Sequence, residues 1–125
     1  MHSLAFSLDR VCSADCTKRL DEESLQYKSV FLNESSKTEA RKAAASLCRL
    51  VLRVVNGELD NGFAAIRPPG HHAESGATCG YCLINNVALA AKFALSRLGV
   101  DRVLIVDWDQ GVLCRASHEP LPLIP

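Results

Sequence analysis

Two adjacent imidazoles and two later carboxylates are the residues of this chain best suited to chemistry. The imidazoles, His71 and His72, lie in Arg67-Pro68-Pro69-Gly70-His71-His72-Ala73. Proline fixes φ and removes an N–H donor, whereas glycine opens conformations closed to other residues, so this loop spends its rigidity on aiming two rings. The carboxylates, Asp107 and Asp109, close the run Val103-Leu104-Ile105-Val106-Asp107-Trp108-Asp109. Two apart on a strand end, their side chains nominally share a face. Imidazole, with an ordinary pKa of about 6.5, transfers protons near neutrality. Imidazole and carboxylate both bind zinc, and a second carboxylate can orient a neighbouring imidazole. These four residues suggest half of a hydrolytic metal centre.

Several elements must position them. Ser29 to Leu32 reads as a short buried strand. Ser36 with Glu39 gives a capping-box signature. Behind it Ala40, Ala43, Ala44, Leu47, Leu50, Val51, Val54 and Val55 mark one apolar helical face, with Gly57 as its stop. Gly62 to Ile66 reads as a second strand that feeds the histidine loop. Asn85 or Asn86 can cap a second helix, whose stripe is Val87, Ala90, Ala91, Ala94, Leu95 and Leu98 and which Gly99 ends. The unbroken apolar run Val103 to Val106 predicts a strand covered on both faces, with Trp108 packed beneath the site. Strands alternating with helices predict an α/β fold with right-handed crossovers and a parallel sheet. Functional residues of such sheets gather at the carboxyl ends of strands, where both pairs fall.

The run from Arg67 to Ala73, then Gly80-Tyr81-Cys82, Asn85-Asn86-Val87-Ala88 and Arg102 to Asp109, resembles the zinc-dependent histone deacetylases, most nearly their class II branch. The resemblance extends weakly upstream and covers roughly residues 25–109. It implies a partial arginase/deacetylase-like fold, a parallel sheet flanked by helices and incomplete at both ends. It also implies a zinc-dependent hydrolysis of acetyl-lysine amides that releases acetate. By resemblance Asp109 matches a zinc ligand. Asp107 matches the carboxylate that supports His71 and helps form a potassium site. His71 and His72 match the catalytic pair that handles the proton, and Gly80, Tyr81 and Cys82 match the wall of a narrow acyl-lysine tunnel. Implied partners are acetylated histones or other proteins and co-repressors, with a nuclear or cytoplasmic location.

The departures are as informative. The family pattern continues Val-His-His-Gly after Asp-Trp-Asp, and its first histidine is a ligand; here Asp109 runs into Gln110-Gly111. No resemblance continues beyond Gly111, where the family's remaining aspartate ligand and transition-state tyrosine would follow. The expectation is a catalytically incomplete chain, with His118 the one candidate for a substitute ligand. A non-catalytic interaction protein and a fragment of an acetylpolyamine deacetylase are the alternatives. Residues 1–26 read as a poorly defined lead-in, 27–109 as a partial deacetylase domain and 110–125 as a divergent tail.

Bulk properties set the outer limits. Lys plus Arg and Asp plus Glu number 14 each, leaving no basic footprint for nucleic acid or a membrane surface. Lys92 and Arg97 interrupt the longest apolar stretch, and Asp9 and Arg10 break the first, so neither a span nor a secretory signal is expected. The six cysteines are expected to be reduced, with Cys48 a core thiol. Cys79-Gly80-Tyr81-Cys82 is a single CxxC, which admits a redox or zinc-knuckle reading. No second CxxC accompanies it, and the resemblance already accounts for Gly80 to Cys82.

Overall fold

Alanines at helical spacing decide how the two long helices meet. A computed structural model describes residues 20, 22–109 and 112–117 of the chain. Its helix α1 (Ser36–Val55) buries Ala40, Ala43 and Ala44, and its helix α2 (Asn86–Arg97) buries Ala90, Ala91 and Ala94. The two pack on each other along these residues. Methyl-sized side chains let the helices approach closely, so the seam has little tolerance for added volume. Below it, Leu32, Ala40 and Leu83 form a small core with Leu20, which precedes a helical turn at residues 22–24; Val30 and Ile84 flank it.

The helix ends follow local chemistry, with one correction. Ser36 is the first helical residue and forms no capping box with Glu39. Its Oγ accepts from the Asn33 N–H at 2.8 Å and donates to Asn33 Oδ1 at 3.1 Å. That oxygen also accepts from the Ser35 N–H at 3.0 Å, while Glu39 turns to Lys42. A short Asn side chain, able to fold back on its own backbone, wins over the longer reach of glutamate. Gly57 takes φ +72° and donates to the Val54 carbonyl, ending α1 as expected. Asn85 Oδ1 accepts from the Ala88 N–H at 3.0 Å and caps α2.

The strands depart further from expectation. Residues 29–32 and 62–66 are irregular, with no ladder partner among the described residues. Leu32 still buries its side chain, but Phe31 beside it is exposed. Strand β1 (Arg102–Asp107) pairs antiparallel with β2 (Val112–Ser117), from Arg102 opposite Ser117 to Asp107 opposite Val112. A run read as tail is therefore a strand at 112–117, and the one pairing between strands among the described residues is not parallel. The cause is proximity, since a short reversal can join antiparallel strands but a parallel pair needs a crossover of about a dozen residues or more.

Nor is β1 covered on both faces. Val103, Ile105 and Asp107 are half-buried, while Leu104 and Val106 between them are exposed. The alternation continues to Trp108, which is 93% exposed rather than packed beneath the site. It also turns Asp107 inward, toward the histidine loop.

Candidate functional site

The first turn of α2 clamps the histidine loop. Asn86, only 3% exposed, donates from Nδ2 to the Pro68 carbonyl at 3.1 Å. Asn85 reaches the Ala73 carbonyl at 3.4 Å, and the Ala73 N–H closes a turn onto the Gly70 carbonyl. At Gly70 the loop lies against backbone, for an added Cβ would sit 2.5 Å from the Ile84 carbonyl oxygen and the Asn86 nitrogen. The Arg67–Pro68 peptide bond is cis. Asn86 was legible only as an alternative cap. The tandem Asn-Asn was its signal, one residue capping the helix and the next reaching back to the loop.

The Gly80-Tyr81 step supports the second histidine. Gly80 and Tyr81 have φ values of +53° and +63° and donate their N–H groups to the Lys28 and Ser29 carbonyls. A Cβ on Gly80 would lie 2.5 Å from Cδ2 of His72, so the absence of a side chain makes room for that ring. Cys82 is fully buried, its thiol donating to the Gly80 carbonyl at 3.3 Å. Burial pushes this thiol up from its ordinary range, against the backbone N–H groups of His72 and Ala73 that face the sulfur. Cys79 and Cys82 pair through their backbones, and both thiols are free. A buried thiol with a raised pKa is a poor nucleophile, so Cys82 is ill suited to redox attack. Burial likewise raises the Cys48 thiol.

The two landmarks meet at His71. Its Nδ1 lies 2.9 Å from Asp107 Oδ2, and its Nε2 lies 3.5 Å from Asp109 Oδ2. A carboxylate only accepts, so in the Asp107 pairing Nδ1 carries the hydrogen, and in the neutral ring Nε2 is then the basic nitrogen. The other Asp107 oxygen accepts from the Asp109 N–H at 3.1 Å, fixing the turn at the end of β1. The two imidazoles stand 4.3 Å apart between ring centres, tilted by 52°. One donor atom each from His71, His72 and Asp109 falls within 4.8 Å of the others. Two imidazoles and a carboxylate are a donor set that zinc accepts, and a carboxylate behind a ligand histidine is its usual support. The donor set present is therefore chemically suited to zinc.

An open groove of about 870 Å³ runs past this cluster, lined among others by Leu50, Phe63, Ile66, both histidines and Trp108. Tyr81, exposed, is not among its lining residues, and Cys82 lies under the loop; Gly80 reaches the site only through His72. His118 lies outside the described residues. Among the described residues no helix is long and apolar enough to cross a membrane.

The clamped tandem-histidine loop facing the aspartates at a strand end brings together the motifs that carry the resemblance, and the comparisons agree with it. The family model of the histone deacetylase domain matches residues 2–110, and the chain belongs to that family. The match begins well upstream of the motifs that carry the resemblance. Histone deacetylase 5 of Arabidopsis thaliana is 53% identical over 87 residues, 67% of this chain and 13% of the relative. Histone deacetylase 18 of the same organism is 52% identical over 87 residues. A polyamine deacetylase from Mus musculus is 42% identical over 126 residues, 94% of this chain and 19% of the relative. The chain thus spans between 13% and 19% of the length of these relatives.

Proposed function

We propose that this chain is the tandem-histidine segment of a zinc-dependent deacetylase that hydrolyses acetyl-lysine amides and releases acetate. The observation that carries the reading is the 2.9 Å pairing of His71 Nδ1 with Asp107 across 36 residues of sequence. In the neutral ring it supports the tautomer with Nε2 basic, the state a proton acceptor requires. In this reading Asp109 holds the metal, His71 and His72 accept and return the proton of the attacking water, and Asp107 orients His71. Zinc, when bound, polarises the scissile carbonyl and acidifies water. Gly80 gives His72 its room, Cys82 packs beneath the histidine loop, and Tyr81 is assigned to the tunnel wall by the resemblance alone. Asp107 also contributes to a potassium site. The deacetylase segment is assigned to residues 27–109, flanked by a lead-in and a divergent tail, and the edge of β1 opposite β2, which pairs with no strand among the described residues, is where a parallel sheet would continue.

The substrates proposed are acetylated histones or other lysine-acetylated proteins, with co-repressors as partners and a nuclear or cytoplasmic location. A polyamine substrate is the second reading, favoured by the 94% coverage of this chain by the mouse relative. A grafting experiment tests the assignment. Residues 25–109 replace the matching stretch of histone deacetylase 5 of Arabidopsis thaliana, and hydrolysis of an acetyl-lysine peptide and of an acetylpolyamine is followed. The graft should retain peptide hydrolysis, and His71→Ala or His72→Ala should then lower kcat by roughly 10²–10⁴-fold. A graft that is active and indifferent to both substitutions would overturn the assignment.

A further inference from the structure

Two cysteines in the turn beside His72 take no part in the metal and proton chemistry read above. Cys79 and Cys82 face each other across Gly80-Tyr81. The Cys79 N–H donates to the Cys82 carbonyl at 3.4 Å, and the Cys82 N–H to the Cys79 carbonyl at 2.9 Å. We propose that this pair is an oxidation site: a hydroperoxide entering the groove oxidises Cys79, Cys82 closes a disulfide with it, and the closure shifts His72. The assignment stands apart from the proposed function, because it concerns thiol chemistry and uses no step of amide hydrolysis.

Three observations carry it. First, the positive φ values of Gly80 and Tyr81 make the step a tight two-residue hairpin turn. Residues opposite each other across such a turn project to one face, with Cβ atoms about 4.5–5.5 Å apart. A disulfide needs about 3.5–4.5 Å, so the ends of the turn have only a short way to draw together. Second, the two thiols differ in access. Cys79 is half-buried and lines the groove, whereas Cys82 is fully buried and can act only on its neighbour. Beyond burial, and against the His72 and Ala73 N–H groups, the Cys79 thiol itself holds the Cys82 thiol up, so the two sulfurs feel each other. Third, the turn bears on His72. A Cβ on Gly80 would lie 2.5 Å from His72 Cδ2, so the ring has no slack toward the turn. Closure also removes the hydrogen that Cys82 donates to the Gly80 carbonyl at 3.3 Å.

The chemistry balances with one hydroperoxide. The Cys79 thiolate attacks a peroxide oxygen, the O–O bond breaks, and an alcohol (water, for hydrogen peroxide) leaves as Cys79 becomes a sulfenic acid. The Cys82 sulfur then attacks the Cys79 sulfur, the S–O bond breaks, and hydroxide departs as water with the Cys82 proton. Two thiols are oxidised by the loss of two hydrogens, and the peroxide is reduced.

The test treats the full 125-residue chain with hydrogen peroxide, then alkylates the remaining thiols in denaturant and weighs the peptide that carries both cysteines. That peptide should resist alkylation, be two hydrogens lighter than its reduced form, and recover both thiols in dithiothreitol. Cys79→Ser should leave Cys82 open to alkylation after the same treatment. Cys82→Ala should stop Cys79 at the sulfenic acid, which dimedone captures; should that variant fail to fold, Cys79→Ser decides. The His72 ring signals in ¹H–¹⁵N spectra should shift on oxidation of the parent and stay in place in Cys79→Ser. The assignment is overturned if both cysteines remain alkylatable after peroxide, or if either pairs with another cysteine instead. Oxidation of Cys82 that survives Cys79→Ser, oxidation of Cys79 past the sulfenic acid without a disulfide, or a disulfide that leaves the His72 signals unmoved would overturn it as well.

Discussion

The site joins two regions of opposite character. On one side α1, α2 and the loop between them are tied by buried alanines, a capped helix and the Asn86 clamp. On the other, the β1–β2 hairpin presents Leu104, Val106 and Trp108 to solvent. α2 packs more extensively on α1 than on either strand. The histidines belong to the first region and the aspartates to the second, so His71 is the hinge between a packed half and an open one. Rigidity on one side and exposure on the other mean that equal perturbations should have unequal consequences.

The largest effect is expected where the loop meets backbone. Gly70→Ala places a Cβ against the Ile84 carbonyl and the Asn86 nitrogen, neither of which can rotate away. It should cost about 3 kcal/mol, read as a fall in the denaturation midpoint and collapse of the histidine site. Next, Ala90→Leu at the helix seam should cost roughly 1–3 kcal/mol through overpacking. Asn86→Ala, which orphans the Pro68 carbonyl, should cost about 1–3 kcal/mol, with a loss of order in the loop detectable by amide exchange. Removing the α2 cap with Asn85→Ala should cost about 1 kcal/mol. In the hairpin, Leu104→Lys should change stability by no more than about 0.5 kcal/mol while reducing self-association in sedimentation, because its side chain is already in water. A hairpin substitution as damaging as Gly70→Ala would erase the contrast.

The same division explains what the sequence disclosed. The helices were legible because their signals are local: alanines at three- and four-residue steps, Gly57 and Gly99 as stops, an asparagine before the first turn of α2. The meeting of His71 with Asp107 was legible too, through the resemblance that links their two motifs. The strands were not. An apolar run such as Val103 to Val106 reports that a strand forms, but not which neighbour it finds, and here the neighbour is the segment just beyond the turn. Trp108 was misjudged for the same reason, since its face depends on how many sides of β1 are covered. The roles of Gly70 and Gly80 were also hidden, because contact with Ile84 and with the His72 ring is a property of the folded loop alone.

The central claim is that Asp107 holds His71 by Nδ1 and leaves Nε2 basic, and the imidazole nitrogens report it directly. Long-range ¹H–¹⁵N correlation spectra of the metal-free protein in alkaline buffer separate the two tautomers of each neutral histidine. The account predicts the Nδ1–H form for His71 and its loss or depletion in Asp107→Asn. An Nε2–H form for His71, unchanged by that substitution, would contradict it.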